Sequence, residues 1–290
     1  MSPQAEKPTI ILATSNGVGM GHLARASAIA LELKEIANPI IVSMAGGVAE
    51  VPNFVGVRCE YIPGRDRGWM PRKLWDAYLR DRLLALIEET DAQVLSFDGV
   101  VPYPGVIGAK LRKNDLALVW VRRGLWQKKP QGLALGLQSM MMDAIIEPGD
   151  FARVYDHGPT KNRKDAVVTS AVSLYQESTA LDRDEARIAL GIDLNRPAVL
   201  VQLGTGDSDV NEKMTAALKG LVGWKDLQVI LTKRPLDANG NSLVPDGLEI
   251  KQVRYFPLAK VLHAFDAAIC ATGYNGVHEL LPALVPTVFV

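Results

Sequence analysis

Short apolar runs alternate along the first half of the chain with longer stretches in which apolar residues recur at helical spacing. Residues 9–14 form a continuous apolar run, as expected of a strand that is buried on both faces. Residues 23–36 follow with helical spacing and good helix formers. The alternation predicts βαβ units and a mostly parallel sheet. The same pattern predicts further strands at 39–44, 57–62, 93–97 and 116–121, and helices at 73–89 and 106–112.

The longest of these predicted helices, 73–89, carries an apolar stripe at spacings of three and four residues. Such a stripe is expected to pack against the sheet, while the charged residues on the opposite side face water. The residues assigned to the stripe are Leu74, Tyr78, Leu79, Leu83, Leu86 and Ile87.

A second α/β pattern follows a polar and basic segment. Residues 157–165 contain Pro and Gly, and they are the best candidate for a linker or for a loop beside one. A helix is predicted at 182–190, with Gly191 near its C-terminal end. Beyond it the pattern predicts strands at 199–203, 227–231, 248–253, 267–270 and 287–290, and helices at 210–221, 259–264 and 277–284.

The fold class is therefore α/β, with two Rossmann-like domains at 1–165 and 195–290 and a linker region at 166–194. We expect the two domains to face each other across a cleft. The sequence stops within an apolar run at 286–290. Because a doubly wound sheet usually continues with another crossover helix, we expect the C-terminal domain to be incomplete.

Composition narrows the class of function. Lys plus Arg and Asp plus Glu both total 32, and this zero balance argues against binding nucleic acid through bulk charge. Cys59 and Cys270 lie in apolar contexts, which indicates buried free thiols rather than a disulfide framework or a metal site. The N-terminus lacks the pattern of a signal peptide, and no apolar run is long enough to span a bilayer. A cytoplasmic protein is expected.

The first candidate motif is the loop at 15–25, which contains Gly17, Gly19 and Gly21 after the first predicted strand. Glycines let the backbone turn tightly and approach a ligand, and the helix that starts here presents free N–H groups to an anion. The loop does not match a dinucleotide fingerprint, because His22 stands where the third glycine would be. It is not a P-loop either, since no Gly-Lys-Ser/Thr follows.

His22 is the candidate general base. The dipole of a helix lowers the proton affinity of a histidine at its N-terminus, which favours the neutral form. A histidine that merely caps the helix fits the pattern equally well. Asp98 follows the strand at 93–97, at the edge where open α/β sheets bind ligands, and could orient His22. An Asp before Gly99 is also common in simple turns.

A second glycine-rich turn, Gly204-Thr205-Gly206, follows the first strand of the second domain. A strand that leads into such a turn and then into a helix can hold a phosphate on its backbone N–H groups. A tight turn without a ligand is the alternative.

The most specific segment begins at the strand 267–270, which ends in small residues before a turn at 272–275. Backbone N–H groups at the start of the next helix could hold a diphosphate. Glu279 lies one helical turn after Asn275, so a carboxylate there could accept hydrogen bonds from both hydroxyls of a ribose. A solvated helix residue is the alternative. The pair at 278–279 is not a zinc motif, because Pro282 stands where the second histidine would be.

In order and spacing these residues resemble the GT-B glycosyltransferases, and among them the branch that includes the lipid-II-forming N-acetylglucosaminyltransferase. Gly19-Met20-Gly21-His22 is similar to the Gly-Gly-His loop of that family, with Met20 inserted between the glycines. Gly204-Thr205-Gly206 is similar to its second glycine-rich loop. The donor-binding region of the family is similar to residues 256–290, through Asp266, the turn Ala271-Thr272-Gly273-Tyr274-Asn275, Glu279 and the apolar run after Pro286.

The resemblance implies an enzyme that moves a sugar from UDP to an acceptor hydroxyl, with the UDP-sugar as co-substrate and with no other cofactor or bound metal. It implies that His22, supported by Asp98, takes the acceptor proton, and that Gly19 and Gly21 belong to the acceptor-side loop. The donor-binding residues that it implies are Gly204, Thr205 and Gly206, Phe256 near the base, Thr272, Gly273, Tyr274 and Asn275 at the diphosphate, and Glu279 at the ribose.

The sequence leaves the acceptor open as a small molecule, a glycan or a lipid-linked molecule. Segments 65–75 and 120–129 both mix cations with tryptophans. Such patches could meet an anionic membrane surface or a lipid phosphate, so a peripheral membrane contact is one expectation. Solvated loops with aromatic residues that stack on sugars are the more common outcome.

Two other functions fit the same fold. One is a UDP-sugar 2-epimerase, although no set of acidic and basic residues around a sugar can be placed in the sequence. The other is a catalytically inactive GT-B module that binds a partner or a lipid. An NAD-dependent oxidoreductase is disfavoured, because both the third glycine and the acidic residue that would hold the ribose are missing.

Overall fold

The computed structural model describes residues 7–15, 20–45, 51–65, 70–125, 132–204, 209–232, 245 and 247–290. The chain divides into two compact units, Met1–Val172 and Ser173–Val290. Each unit contains a parallel β-sheet with helices in the connections, which confirms the predicted α/β class.

Within the described part of the first unit, seven strands form one parallel sheet in the order β3-β2-β1-β4-β5-β6-β7. The order reverses between β1 and β4. The chain first adds β2 and β3 on one side of β1, and it then returns to place β4 on the other side. The strands are β1 (Thr9–Thr14), β2 (Asn38–Ser43), β3 (Arg58–Tyr61), β4 (Val94–Asp98), β5 (Ala117–Val121), β6 (Ala144–Glu147) and β7 (Val167–Val168). The helices are α1 (Gly21–Leu33), α2 (Val51–Val55), α3 (Arg72–Thr90), α4 (Pro104–Arg112) and α5 (Gly132–Met140).

Helix α3 packs on this sheet through one apolar stripe. The stripe differs from the predicted one at its first residue, since Leu74 is 61% exposed and Trp75 is fully buried. One residue turns the helix by about 100°, so the stripe that runs through Leu79 and Leu83 includes position 75 and excludes position 74. The assignment of Leu74 to the buried face was therefore wrong.

Segments 65–75 and 120–129 mix cations with tryptophans, and one tryptophan from each segment also belongs to this core. Trp75 donates from Nε1 to the Pro63 carbonyl at 2.8 Å, and Trp120 donates from Nε1 to the Gly99 carbonyl at 3.0 Å. Both side chains are fully buried, so neither can stack on a sugar or meet a membrane. Residues 66–69 and 126–129 of those two segments lie outside the described residues.

The described part of the second unit contains a five-stranded parallel sheet in the order β10-β9-β8-β11-β12. Here the order reverses between β8 and β11. The strands are β8 (Ala198–Gln202), β9 (Gln228–Thr232), β10 (Glu249–Val253), β11 (Ala267–Cys270) and β12 (Thr287–Phe289). The helices are α6 (Arg183–Leu190), α7 (Val210–Leu221) and α8 (Tyr274–Leu280), with a 3-10 helix at Leu258–Ala264 before β11.

Helix α6 has the start and stop signals that the sequence predicts. Asp182 and Glu185 form a capping box, in which each side chain accepts from the backbone N–H of the other. The helix ends at Gly191, which adopts a left-handed conformation with φ of 63°. A residue with a side chain would be strained there.

Arg187 ties α6 to the sheet. Its side chain is fully buried, and Nη2 lies 2.8 Å from Oδ2 of Asp266, the residue before β11. The same oxygen accepts from the backbone N–H of Ala198 at 2.8 Å. The other guanidinium bonds of Arg187 go to the backbone carbonyls of Asp193, Leu194, Arg196 and Ala264. Asp266, which contributes to the family resemblance, therefore has a structural role here.

The buried residues form separate cores in the two units. One cluster around Ile11, Phe97 and Trp120 fills the first unit. In the second unit, alternate residues of β8 point to opposite faces of the sheet, so Leu200 belongs to one cluster and Val201 to another. None of these clusters of described residues includes members from both units.

Both cysteines are free. Cys270 is buried, as predicted, whereas Cys59 on β3 is only partly buried. Burial, with a smaller effect from neighbouring carboxylates, raises the pKa of each thiol to about 12. Neither side chain carries thiolate character near neutral pH.

Candidate functional site

The reversal of strand order marks one place in each sheet where a ligand can enter. Connections leave the sheet in opposite directions on the two sides of such a point, which opens a crevice outside the carboxyl ends of the strands. In the first unit these ends carry the loop after β1 and Asp98 at the end of β4. In the second unit they carry Gly204 after β8 and the turn after β11. Asp98, Gly204 and the turn at 272–275, which the sequence singled out, lie at these two points.

His22 and Asp98 contact each other in the first unit. Nδ1 of His22 lies 2.9 Å from Oδ1 of Asp98, and the two side chains are 21% and 5% exposed. Met20 occupies the N-cap position of α1, and no side chain makes a capping hydrogen bond there. The alternative of a histidine that caps the helix therefore does not describe His22.

Arg25 completes the cluster, and the sequence analysis missed it. Its Nε donates to Oδ2 of Asp98 at 2.7 Å, and its Nη2 donates to Oδ1 at 2.6 Å, so the guanidinium binds the carboxylate through both oxygens. Nη2 also lies 3.3 Å from Nδ1 of His22. The signal was a spacing of three residues, which puts Arg25 on the same face of α1 as His22.

Asp98 is buried and ionised. Burial alone would raise the pKa of this carboxyl, but the charge of Arg25 and the hydrogen bonds from His22 and Arg25 outweigh it. Together they hold the pKa of Asp98 below its ordinary value. An ionised carboxylate only accepts hydrogen bonds.

This carboxylate sets the tautomer of His22. Because Asp98 can only accept, the short contact assigns a proton to Nδ1 of His22, and the lone pair then lies on Nε2. The longer contact with Arg25 would need the opposite tautomer. Among the described residues, the hydrogen bonds of His22 go to Nδ1 and none goes to Nε2.

The backbone around Asp98 is closely packed. Ser15, after β1, donates its backbone N–H to the carbonyl of Asp98 at 2.7 Å. A Cβ on Gly99 would lie 2.7 Å from the Phe97 ring and 2.8 Å from Cβ of Ser15, so only glycine fits. Gly21, at the start of α1, has open space where a Cβ would be. The predicted loop residue Gly19 lies outside the described residues.

In the second unit, two of the predicted turns are adjacent. Gly204 has a φ of 70°, and a Cβ on it would lie 3.9 Å from Cβ of Ala271. Ala271, after β11, donates its backbone N–H to the Gln202 carbonyl at the end of β8 at 3.0 Å. The predicted donor residues Thr205 and Gly206 lie outside the described residues.

The turn before α8 is partly bonded within the protein. The backbone N–H of Thr272 donates to the Val290 carbonyl at 3.3 Å, and that of Gly273 donates to the Ala271 carbonyl at 2.7 Å. Both residues are exposed. A diphosphate held by these two N–H groups would have to replace these bonds.

Tyr274 and His278 stack on each other at the start of α8, with ring centroids 4.2 Å apart. His278 is 2% exposed, and its Nδ1 lies 2.7 Å from the Tyr274 carbonyl. This histidine therefore packs the helix against its own first turn. Asn275, the residue after Tyr274, is half-buried. Phe256, in the loop after β10, is also half-buried.

Glu279 is half-buried rather than solvated. Burial raises the pKa of Glu279 to about 8. No described residue forms a hydrogen bond or an ion pair with its carboxyl group. A half-buried carboxyl group that has no partner among the described residues can serve a ligand.

The described residues contain no group of three or more His, Cys, Asp or Glu side chains that could hold a metal ion. Within the same ranges, none of the helices combines the length and the apolar character that are needed to cross a bilayer.

Comparisons with known proteins bear on the fold and on one segment of the sequence. No family model matches the chain. A UDP-N-acetylglucosamine–N-acetylmuramyl-(pentapeptide) pyrophosphoryl-undecaprenol N-acetylglucosamine transferase of Paenarthrobacter aurescens is 36% identical over 110 residues. That stretch covers 36% of this chain and only 29% of the relative.

Solved structures match over nearly the whole chain. The crystal structure of MurG from Acinetobacter baumannii is 17% identical, with a TM-score of 0.52, and the match covers 98% of this chain and 78% of that one. A UDP-GlcNAc 2-epimerase from Neisseria meningitidis, solved with UDP-GlcNAc, is 11% identical, with a TM-score of 0.61 and coverages of 97% and 82%.

The chain has the GT-B fold, in agreement with the predicted fold class. Its resemblance to GT-B glycosyltransferases is also confirmed by the curated relative. Because the epimerase shares this architecture, the fold by itself does not separate sugar transfer from epimerisation.

Proposed function

We propose that this protein is a glycosyltransferase, which moves a sugar from a UDP-sugar to an acceptor hydroxyl without a metal ion or another cofactor. The observation that carries the proposal is the pair of His22 and Asp98 at the strand reversal of the first unit. A neutral imidazole with Nδ1 bonded to a buried carboxylate presents Nε2 as a general base. Such an arrangement suits the removal of a proton from a hydroxyl group.

The proposed reaction is a single displacement at the anomeric carbon of the donor sugar. The acceptor oxygen forms a bond to this carbon while its proton passes to Nε2 of His22. The bond between the anomeric carbon and the diphosphate oxygen breaks, and UDP leaves with the electron pair. Asp98 stabilises the imidazolium that forms, because its ionised carboxylate lies 2.9 Å from Nδ1.

The donor is proposed to bind in the second unit. Gly204 and Gly273 lack a side chain at the strand reversal, where a diphosphate can approach and replace the internal hydrogen bonds of the turn at 272–273. Glu279 is proposed to accept from the ribose hydroxyls, since a half-buried carboxyl group with no partner among the described residues gains from such bonds. Phe256, Tyr274 and Asn275 remain proposed donor contacts, as do Thr205 and Gly206.

Several features support UDP as the nucleotide. The curated relative is named for a transfer from UDP-N-acetylglucosamine, and the epimerase was solved with the same UDP-sugar. UDP-N-acetylglucosamine is therefore the first donor to test. The acceptor is proposed only as a molecule with a nucleophilic hydroxyl group.

A UDP-sugar 2-epimerase is the second candidate, because the structural likeness to an epimerase is as extensive as the likeness to MurG. A transferase and an epimerase would differ in what they release. With a panel of acceptors, a transferase gives a glycosylated product and UDP. An epimerase gives an isomeric UDP-sugar or, without an acceptor, free 2-acetamido sugar.

Calorimetric titration of UDP tests the donor site, with ADP and TDP as nucleotide controls. We expect UDP to be selected, and we expect Glu279→Ala to lose most of the binding. Glu212→Ala, at an exposed position of α7, is the matched control and should bind UDP as the unmodified chain does. Equal binding of the three nucleotides, or full binding by Glu279→Ala, would contradict the proposed donor site.

A further inference from the structure

Arg25 is placed to control the proposed base through the carboxylate that both residues share. It lies one turn after His22 on α1, and its side chain is 5% exposed, as is that of Asp98. Its two nitrogens approach both oxygens of the carboxylate, at 2.7 and 2.6 Å. A guanidinium bound in this way fixes the plane of the carboxylate as well as its position.

One oxygen of Asp98 is shared between the two partners. Oδ1 accepts from Nη2 of Arg25 and from Nδ1 of His22, whereas Oδ2 accepts from Nε of Arg25. A rotation of the carboxylate that kept the bond to His22 would break the paired bonds to Arg25. The arginine therefore determines where the imidazole must lie.

Charge gives Arg25 a second effect. A buried carboxylate without a cation is costly, and it would draw a proton onto the adjacent imidazole. The guanidinium supplies the opposite charge, which balances the carboxylate that orients His22. Arg123, which follows β5, adds a further positive charge that acts on Asp98 and Arg25, and Asp150 acts on Arg123 in turn.

We infer that Arg25 is a positioning residue for the general base, holding Asp98 so that His22 keeps its proton on Nδ1 and its lone pair on Nε2. The inference rests on the proposed function for its catalytic meaning. The tautomer itself can be measured without any turnover. Arg187 provides a contrast, since it is a buried arginine that binds an aspartate, the part-exposed Asp266, but its other bonds go to backbone carbonyls and none goes to an imidazole.

The first test is nitrogen NMR of the full chain labelled with ¹⁵N-histidine. The chain has four histidines, and His22→Asn identifies the signals of His22. We expect the Nδ1–H tautomer in the unmodified protein. In Arg25→Met we expect a mixture of tautomers and a titration midpoint of His22 at higher pH, while Arg25→Lys should keep part of the original behaviour.

Arg187→Lys is the control for a general loss of stability. It should lower the unfolding temperature and leave the His22 signals unchanged. If Arg25→Met unfolds, Arg25→Lys decides the question, because lysine keeps the charge and loses the paired geometry. The inference is overturned if the folded Arg25 variant shows the tautomer and titration midpoint of the unmodified protein.

The second test is kinetic and uses an acceptor that supports transfer. We expect Arg25→Met to lower kcat by roughly 10- to 100-fold with little change in the donor KM, as for a misplaced base. The acid limb of the pH–rate profile should move to higher pH, and Arg25→Lys should recover part of the rate. A rate loss that is uniform across pH would contradict the inference. If no acceptor is glycosylated, the proposed function fails while the NMR result still decides the role of Arg25 toward His22.

Discussion

Asp266 is held on both sides by arginines of α6, with Nη2 of Arg187 2.8 Å from Oδ2 and Nη2 of Arg183 3.4 Å from Oδ1. The two arginines differ in environment. Arg187 is fully buried, whereas the side chain of Arg183 is 47% exposed. The two contacts therefore allow a direct comparison of a buried and an exposed arginine that share one part-exposed carboxylate.

We expect Arg187→Met to destabilise the second unit by about 1–3 kcal/mol, the cost of leaving buried acceptors without a donor, because the part-exposed Asp266 can still be solvated. The loss includes backbone carbonyls that no longer have a donor. Arg183→Met is the matched control and should change stability little, because exposed ion pairs contribute little. Urea unfolding of the two variants measures the difference, and equal effects would show that burial is not what matters at Asp266.

Gly276 on α8 has no room for a side chain. A Cβ there would lie 2.7 Å from Sγ of Cys270, at the end of β11. We expect Gly276→Ala to destabilise the second unit by roughly 1–3 kcal/mol, as overpacking usually does.

The double substitution Gly276→Ala with Cys270→Ala removes the atom that causes this clash. We expect the double variant to be less destabilised than the sum of the two single variants. Thermal unfolding of the unmodified chain, the two single variants and the double variant gives the coupling free energy between the two substitutions. If the two effects on stability are additive, the strain in Gly276→Ala does not come from the contact with Cys270.

Glu279 makes the stability of the second unit depend on pH. Its pKa in the folded chain is about 8, above the ordinary value of 4.5, so the folded state binds a proton that the unfolded state releases between these values. The stability of the folded state that depends on a protonated Glu279 is fully present below the unfolded pKa of 4.5, and it is lost as the pH rises through the folded pKa of about 8. Glu279→Gln should therefore gain stability relative to the unmodified chain by roughly 1–3 kcal/mol between pH 4.5 and pH 9.

Denaturant unfolding at the two pH values tests this prediction. The expected gain is smaller than the full pKa shift would give, because water reaches the half-buried side chain. Glu212→Gln, at an exposed helix position, should show no such trend. A constant difference between Glu279→Gln and the unmodified chain across the range would mean that the carboxyl is ionised in the folded state throughout.

His22→Gln should lower the rate of sugar transfer by roughly 10²- to 10⁴-fold, the usual contribution of a general base. Asp98→Asn should also lower the rate, since an amide that donates to Nδ1 favours the wrong tautomer. Both substitutions lie in the first unit, whereas the proposed UDP site lies in the second. Calorimetry should therefore find UDP binding unchanged in both variants, and a parallel loss of binding and rate would argue against a role limited to proton transfer.

Regular parts of the fold were predictable because their apolar patterns are strong. The predicted bounds of the strand at 9–14, the helix at 210–221 and the strand at 267–270 agree with β1, α7 and β11. Strand β6 was missed. It is only four residues long and ends in Glu147, a buried charge that is paired with Arg122 and Arg153 and therefore looks unlike a strand residue in the sequence.

The candidate site was predictable only where the signal is local. The position of His22 after a glycine-rich loop and that of Asp98 at a strand end can be seen in the sequence. The role of Arg25 depends on a carboxylate 73 residues away, and no local pattern shows that pairing. Likewise, the half-buried state of Glu279 depends on packing that its helical spacing does not reveal.

The separate cores have a consequence for how this protein should melt. Since the clusters of buried described residues fall in one unit or the other, heat is expected to act on two cooperative blocks instead of one. A calorimetric trace should then contain two overlapping peaks, and a single midpoint would average over them. A ligand that binds one block should move only the peak of that block, so the melting profile reports which half of the chain a given nucleotide or acceptor occupies.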